Sequence, residues 1–400
     1  MSVWDDLVGQ RPVIETLRAA ASGQGMTHAF LLTGPPGSGR SNAAIAFAAA
    51  LQCENGPGPA AGCGGCNACI TTLAGSNPDV TRVSTESVQF RVKDAREMVR
   101  KSAMSPVSQR WQVIVVEDAD RFNDSSGNAV LKAVEEPADR TVWVLCAPTV
   151  EDVLPTIRSR CRLVSLATPT APEVADFLVR RQGVAESLAS YAARASQGHI
   201  GRAKALATDE ATRNRRREVV SLPARLTSIG ACMQAATNLA DVAKEEAEAI
   251  TADLDQREKT DLDRAFGYED KGRRPREYAS ALREMTDDQK RRFLEEPFAD
   301  KDKPAWGAYA TTEAAAGSLM DLVSVYRDAI ALASRAPGQL VNEEIRPDVE
   351  EVVRTSTPEL NLRRIAWVFE AREQMLEFNV PVPLALESMM VALKVPEGSR

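Results

Sequence analysis

The sequence lacks any apolar run that approaches the roughly 18 residues needed to cross a membrane. The first ten residues, M-S-V-W-D-D-L-V-G-Q, also lack the basic stretch and the apolar stretch of an export signal. These two absences argue against the membrane-protein and secreted classes. We therefore expect a protein of the cytoplasm that has no membrane partner.

An excess of positive charge is missing as well. The 400 residues include 49 Lys and Arg against 56 Asp and Glu, which gives a net charge of −7. Because phosphate binding relies on clustered Lys and Arg, a protein that coats nucleic acid with its whole surface is excluded. Two basic clusters leave local contact with DNA open, either as phosphate contacts or as plain solvated surface. They consist of Lys93, Arg96 and Arg100, and of Arg213, Arg215, Arg216 and Arg217.

The composition is typical of a globular protein, with 44% apolar and 26% charged residues, and the length suits two or three domains. Four short apolar runs predict strands: His28–Thr33, Val113–Val116, Val142–Ala147 and Leu163–Leu166. Helical stretches lie between them, such as Asn123–Glu136. This alternation predicts an α/β domain over residues 1–166, with a parallel sheet covered by helices on both faces.

The strand-like runs stop after residue 166. Three short helical segments predict a small lid over residues 167–210, and further helical tracts predict an all-α collar domain over residues 211–400. Within the collar, residues 255–310 are densely charged and have few evenly spaced apolar positions. That composition indicates an exposed insertion.

Two apolar stripes lie near the end of the collar. They consist of Leu319, Val323, Tyr326 and Ile330, and of Leu362, Ala366 and Phe369. Their spacing of three or four residues predicts amphipathic helices whose stripes are buried. The stripes form either the core of a helical bundle or an interface that joins chains in an oligomer.

The segment 34–41, G-P-P-G-S-G-R-S, matches the phosphate-loop pattern G-x-x-x-x-G-K-[ST] at every position except one. Gly34, Gly37 and Gly39 let backbone N–H groups turn towards phosphate oxygens, and Ser41 lies at the start of the following helix. Arg40 stands where the pattern has lysine. Because a guanidinium is wide and planar, we expect Arg40 to contact phosphate with poorer geometry for catalysis.

Two carboxylates, Glu117 and Asp118, follow the second predicted strand. ATPases with a phosphate loop use an Asp for magnesium and then a Glu for the attacking water, so the order is reversed here. Since hydrolysis depends on positioning, this reversal and Arg40 together predict a silent or slow ATP site. The alternative is that both acids belong to a solvated strand end.

Four cysteines, Cys53, Cys63, Cys66 and Cys69, lie within seventeen residues among glycine and proline turns. In a reducing compartment such a cluster favours a metal site over disulfides. Four thiolates suit tetrahedral structural zinc, which leaves no open position for catalysis. An iron–sulfur cluster is the competing interpretation, because its ligands are also cysteines.

Several segments together resemble the clamp-loader branch of the AAA+ family. They are Leu7–Gln10, Met26–Leu32, the four-cysteine cluster, Ser76–Val80, N-A-V-L-K-A-V-E-E-P at 128–137 and L-P-T-I-R-S-R-C at 154–161. The resemblance covers residues 1 to about 205. Beyond it only Asn379–Leu386 resembles the last collar helix of the family, and the charged insertion has no counterpart.

The resemblance implies roles for single residues. Arg160, the arginine of S-R-C, would be an arginine finger that projects into the ATP site of a neighbouring subunit. Thr149 and Arg202 would be the first and second sensors, which face the chain's own nucleotide pocket. ATP with magnesium would then be a cofactor only if that pocket is filled.

The resemblance also implies partners. They would be other clamp-loader subunits, of the gamma or tau and the delta kinds, with the sliding clamp and primer–template DNA in the assembled complex. The leading hypothesis is a stator-like subunit. Such a subunit keeps the ATPase fold, contributes an arginine to the ATP site of its neighbour and hydrolyses little ATP itself. An ATP-hydrolysing motor subunit of the gamma or tau kind is the alternative. A zinc-bearing DNA-binding adaptor is a third class, which leaves the S-R-C segment without a purpose.

Overall fold

The computed structural model describes residues 2–58, 60–85, 89–108, 110–265 and 303–394. The chain divides into two compact units, Met1–Asp209 and Glu210–Arg400. Of the predicted charged insertion, residues 255–265 and 303–310 are helical, and residues 266–302 lie outside the described part. No helix among the described residues is both long and apolar enough to span a bilayer.

The first unit contains a five-stranded parallel sheet in the order β2-β3-β4-β1-β5. The strands are β1 (Ala29–Thr33), β2 (Val80–Val83), β3 (Gln112–Val116), β4 (Thr141–Ala147) and β5 (Arg162–Ser165). The predicted α/β fold with a parallel sheet is confirmed. Strand β2 was not predicted, because its half-exposed sequence V-T-R-V includes Thr81 and Arg82 rather than a continuous apolar run.

Helices cover the sheet on both faces. In the first unit they are α1 (Arg11–Ala21), α2 (Arg40–Gln52), α3 (Asn67–Leu73), α4 (Val92–Ser102), α5 (Asp124–Glu135), α6 (Pro155–Arg158), α7 (Ala171–Gln182), α8 (Glu186–Ser196) and α9 (Ile200–Thr208). Helix α2 is rich in alanine, the strongest helix former, and its residues from Ala43 to Gln52 are all buried. The last three helices correspond to the three short helical segments predicted from sequence.

Alternate residues of the strands enter two separate cores. Phe30 of β1 meets Phe47 of α2 edge to face at 4.9 Å on one side of the sheet. Leu31 of β1 and Trp143 of β4 enter the other core, under helices α4 and α5. Because side chains of a strand alternate between faces, a strand in such a sheet must be apolar at every position, as β1 is almost throughout.

The second unit is helical in its described residues. Its helices are α10 (Glu210–Arg225), α11 (Ile229–Ala265), α12 (Lys303–Ala333), α13 (Arg346–Thr355), α14 (Pro358–Leu376) and α15 (Val382–Lys394). Leu319, Val323 and Tyr326 of α12 are buried, as their spacing predicted, and Ile330 is half-buried. Their burial supports the bundle-core interpretation for this stripe.

The bundle-core interpretation is wrong for the second stripe, whereas the interface interpretation stays a prediction. Leu362 and Phe369 of α14 are 58% and 45% exposed, and Ala366 between them is exposed as well. The buried residues of this helix are Asn361, Val368, Ala371 and Met375. Two faces of α14 carry apolar residues at helical spacing, so periodicity alone did not identify the face that enters the core.

A buried polar network crosses the second unit and includes one residue of the predicted basic clusters. Arg216 is 3% exposed, and its guanidinium pairs with Asp321 (Nε–Oδ1 3.1 Å) and Glu344 (Nη1–Oε1 2.8 Å) and donates to the Asn342 side chain. Asn342 is itself tied to Asp328 through its backbone and side-chain nitrogens, both 2.8 Å from Oδ2. Arg216 therefore stabilises this unit from within and does not belong to a DNA-facing surface.

Candidate functional site

The phosphate-loop segment connects the end of β1 to the start of α2, at the carboxyl edge of the sheet. Gly34 donates its N–H to the Pro148 carbonyl (3.1 Å), which joins the loop to the residue after β4. A Cβ at Gly34 would lie 2.9 Å from the Leu166 carbonyl oxygen, so this close approach of two backbones requires glycine. The loop thus lies where open parallel sheets usually bind their ligands.

Helix α9 of the lid packs directly onto this loop. The N–H of Ile200 donates to the Gly37 carbonyl (3.1 Å), and the His199 ring lies against Gly37. A Cβ on Gly37 would come within 2.2 Å of His199 Cγ, and Gly37 also has a positive φ of 80°. Glycine is therefore required here by conformation and by space.

His199 was not selected from the sequence. It begins α9 by accepting the Arg202 N–H at Nδ1 (3.1 Å), which places its ring proton on Nε2 in this arrangement. His199 is exposed as a residue, but the loss of water around its ring where it lies against Gly37 lowers its pKa, and the nearby charge of Arg202 lowers it further. Arg202, the predicted second sensor, is half-buried in the first turn of this helix.

Two polar atoms of the loop are buried without a hydrogen-bond partner among the described residues. They are the hydroxyl of Ser38, a residue only 2% exposed, and Nη1 of Arg40. Unsatisfied buried donors in a glycine loop at a helix start are the chemistry that an anion such as a phosphate group satisfies. The residues present therefore fit a phosphate group, with Arg40 as the cationic side chain.

The two acids predicted to act with the loop are both engaged by β2 and the residues after it. Glu117 forms an ion pair with Arg82 of β2, and Asp118 accepts the Thr85 N–H at Oδ2 (3.0 Å). A third acid, Asp120, has its pKa raised by burial and by the charge of Asp118, while Arg121 and Arg40 oppose the shift. Neither Glu117 nor Asp118 is a free solvated carboxylate.

Other predicted residues lie at the same edge of the sheet. Thr149, the predicted first sensor, is exposed just after β4 and donates its N–H to Asp152 Oδ2 (2.9 Å). Gln10, which ends the segment Leu7–Gln10, is buried. Its amide donates to the carbonyls of Ala167 (2.6 Å) and Ser38 (3.5 Å) and accepts the Ala167 N–H (3.1 Å). The sequence pattern indicates the segment but not this role of Gln10.

The four cysteines are brought together where α2 ends and α3 begins. The sulfurs of Cys53, Cys63, Cys66 and Cys69 all lie within 4.8 Å of one another. Tetrahedral zinc with Zn–S bonds of ~2.3 Å places its sulfurs ~3.8 Å apart, so small adjustments would close the site. The described cluster therefore fits a four-sulfur metal site.

Backbone groups around the cysteines favour the thiolate form on one side of the cluster. The N–H groups of Gly65 and Cys66 both donate to Cys63 Sγ (3.4 Å each) and lower the pKa of Cys63 to about 7. Burial raises the pKa of Cys69 instead. Arg110 supports the module from outside by donating to the Cys53 carbonyl (2.5 Å).

Arg160 lies at the surface in the S-R-C segment, just after α6. Its Nη1 donates to the Thr156 carbonyl (2.8 Å) and to Ser159 Oγ (3.2 Å), and its Nη2 pairs with Glu135 Oε1 (3.2 Å). The Arg160 side chain is 32% exposed. Glu135 belongs to the E-E-P motif, but its contact with Arg160 was not anticipated from the sequence.

Comparison with known proteins adds the family. Residues 9–170 match the family model described as DNA polymerase III, delta subunit. The DNA polymerase III subunit gamma/tau of Mycobacterium tuberculosis is 33% identical over 156 residues, 39% of this chain and 27% of the relative. The DNA polymerase III subunit delta prime of Escherichia coli is 32% identical over 198 residues, 49% of this chain and 59% of the relative.

A solved DNA polymerase III gamma subunit-related protein of Thermotoga maritima is similar over 95% of this chain and 98% of its own, at 16% identity and a TM-score of 0.41. The chain spans about a quarter of the gamma/tau relative and less than two thirds of the delta prime relative. The family match lies within the first unit, which carries the parallel sheet, the phosphate loop and the four cysteines. Residues 9–170 thus carry the similarity to DNA polymerase III subunits of the delta, delta prime and gamma/tau kinds.

Proposed function

We propose that the chain is a stator-like delta prime subunit of the bacterial DNA polymerase III clamp loader, which donates Arg160 to the ATP site of a neighbouring subunit. The observation that carries the proposal is the partly exposed side chain of Arg160, held at the surface by contacts to both of its terminal nitrogens. A cation in such a position can neutralise charge that develops on a phosphoryl group in another chain.

Three features in and around the chain's own phosphate loop indicate that the isolated chain hydrolyses little ATP. Arg40 replaces the usual lysine, Glu117 and Asp118 already have partners from β2 and its exit, and His199 closes the lid onto Gly37. Since catalysis of phosphoryl transfer is almost entirely positioning, these departures weaken a motor role.

The alternative is an ATP-hydrolysing motor subunit of the gamma or tau kind. It is supported by the unsatisfied Ser38 hydroxyl and Arg40 Nη1, which suit a bound phosphate group. The similarity to a gamma/tau relative is also as high as that to a delta prime relative. Gly37, Gly39, Arg40 and Ser41 would hold the nucleotide, which would supply the triphosphate that is cleaved.

Structural zinc is the metal that we assign to Cys53, Cys63, Cys66 and Cys69. It would supply four bonds that stabilise a short segment with few apolar residues of its own. We further propose that the chain works in the cytoplasm, in a hetero-oligomer with gamma or tau and delta subunits. In that complex the sliding clamp and primer–template DNA would be its further partners.

One experiment separates the two functions. ATP turnover is measured for the isolated chain and for a complex reconstituted with motor subunits, each with native Arg160 and with Arg160→Ala. The stator function predicts negligible turnover by the isolated chain, and a large loss of turnover in the mutant complex without loss of assembly. Saturable turnover by the isolated chain that Asp118→Ala abolishes would instead select the motor function. Unchanged turnover and clamp loading by the Arg160→Ala complex would reject the stator function.

A further inference from the structure

We infer that Glu135 is a positioning residue, which holds the Arg160 guanidinium in the orientation that a neighbouring ATP site needs. This inference rests on the proposed function of Arg160. It concerns a different residue on a different element, the last residue of α5, and it makes a separate prediction. The motif comparison assigns no role to this carboxylate.

The contacts of Arg160 leave one terminal N–H of its guanidinium available. Nη1 is held by the Thr156 carbonyl and Ser159 Oγ, and Nη2 is held by Glu135 Oε1. A guanidinium has five N–H donors in a rigid fork, so these three bonds do not exhaust it. Among the described residues Nε is buried without an acceptor, and one N–H of Nη2 is left over. This Nη2 donor can meet an acceptor outside the chain, while the plane of the group is fixed.

Glu135 belongs to a helix, α5, that packs closely against α6 and the residue before it. Gly127 of α5 approaches Leu154 so closely that a Cβ would lie 2.3 Å from Leu154 Cδ1. Val134, next to Glu135, and Ile157 of α6 are fully buried in the same core. The carboxylate and the arginine are therefore attached to two elements that are pinned to each other.

A stabilising role is a poor explanation for this ion pair. The two side chains are 32% and 50% exposed, and exposed ion pairs contribute little to folding. A long arginine side chain, by contrast, loses much rotamer freedom when it docks. If the Arg160 side chain is already fixed before the subunits meet, part of this entropy cost is removed, and its guanidinium is aligned for the transition state.

The test uses the reconstituted complex and reads kcat, the KM for ATP and subunit assembly. We expect Glu135→Ala to lower kcat about tenfold with the KM and assembly unchanged, because loss of orientation acts on the transition state. Glu135→Gln should recover most of kcat, since its amide oxygen can still accept from Nη2. Glu136→Ala, a change at the exposed neighbouring glutamate, is the matched control and should behave as the native chain does.

The outcomes are distinguishable from failure of the proposed function. If Arg160→Ala leaves turnover unchanged, the role of Arg160 as an arginine finger is rejected. The positioning role of Glu135 is then rejected as well. If Arg160→Ala lowers turnover while Glu135→Ala does not, only the positioning role is overturned. A rate increase in Glu135→Gln would also overturn the positioning role, because the negative charge of the carboxylate would then be lowering the rate. Loss of assembly in both Glu135 variants would assign the carboxylate to the subunit interface instead.

Discussion

The imidazole of His199 packs directly against Gly37, so the lid of the first unit rests on the backbone of the phosphate loop. The adjoining residue, Ile200, bonds to the same glycine through its N–H. A side chain at position 37 would have to displace the ring, which is held in place by its bond to the Arg202 N–H.

Gly37→Ala is expected to destabilise the first unit more than an ordinary glycine substitution does. Gly75→Ala is the matched control, because Gly75 has a similar positive φ of 76° and a Cβ added there would meet no atom within 4 Å. The control should cost about 1–2 kcal/mol, from backbone strain alone. Gly37→Ala should cost about 1–3 kcal/mol more, from overpacking against His199. Urea unfolding measures both, and equal costs would show that the ring moves away freely.

His199 should make stability depend on pH. Its pKa is lowered in the folded chain, so the unfolded chain takes up the proton first as the pH falls. The contribution is fully present above about 6.5, the ordinary value for histidine, and is lost as the pH falls towards the lower folded value.

The measurement is the thermal midpoint between pH 7.5 and 5.5 for the native chain and for His199→Asn. Asparagine keeps a helix-capping acceptor for the Arg202 N–H but does not titrate. We expect the midpoint of the native chain to fall more steeply than that of the variant. Parallel curves would contradict a lowered pKa of His199 in the folded chain.

Removal of the metal should unfold the cysteine module. Protein purified without added zinc should contain about one zinc per chain, as a four-sulfur site holds one ion. Cys63→Ser should lower zinc content and the thermal midpoint, and a chelator should do the same to the native chain. Cys161→Ser, outside the cluster, is the control that should retain zinc. A brown, iron-containing product would replace zinc with an iron–sulfur cluster.

Arg216→Ala should strongly destabilise the second unit. The substitution leaves Asp321 and the side chain of Asn342 buried without their guanidinium partner, which costs about 3–5 kcal/mol for a broken buried ion pair. Arg217→Ala, at the exposed next residue, should change stability by at most about 0.5 kcal/mol. Denaturant unfolding compares the two, and a similar small effect at both positions would mean that the network rearranges.

The sheet could be predicted where both of its faces are buried. Strands β1, β3 and β4 are buried along their whole lengths and therefore read as continuous apolar runs. Strand β2 lies at the sheet edge and contains Arg82, whose partner Glu117 follows β3. Only pairing along β3 makes β2 a strand, and that pairing is not visible in its own four residues.

The candidate sites could be predicted where their residues are close in sequence. The phosphate loop spans eight residues and the four cysteines span seventeen, so their spacing alone identified them. His199 meets Gly37 and Gln10 meets Ala167 from far along the chain, and neither pair has a local pattern. Glu135 meets Arg160 only because α5 and α6 pack together.

The single amide of Gln10 bonds at the same time to the loop at Ser38 and to Ala167, where the chain leaves β5 for the lid. A displacement of either segment is therefore transmitted to the other through one side chain, without passing through the lid helices. The loop and the lid are thus coupled at two separate places, by Gln10 and by His199. An occupant of the loop that moved Ser38 would therefore act on the same side chain that holds Ala167.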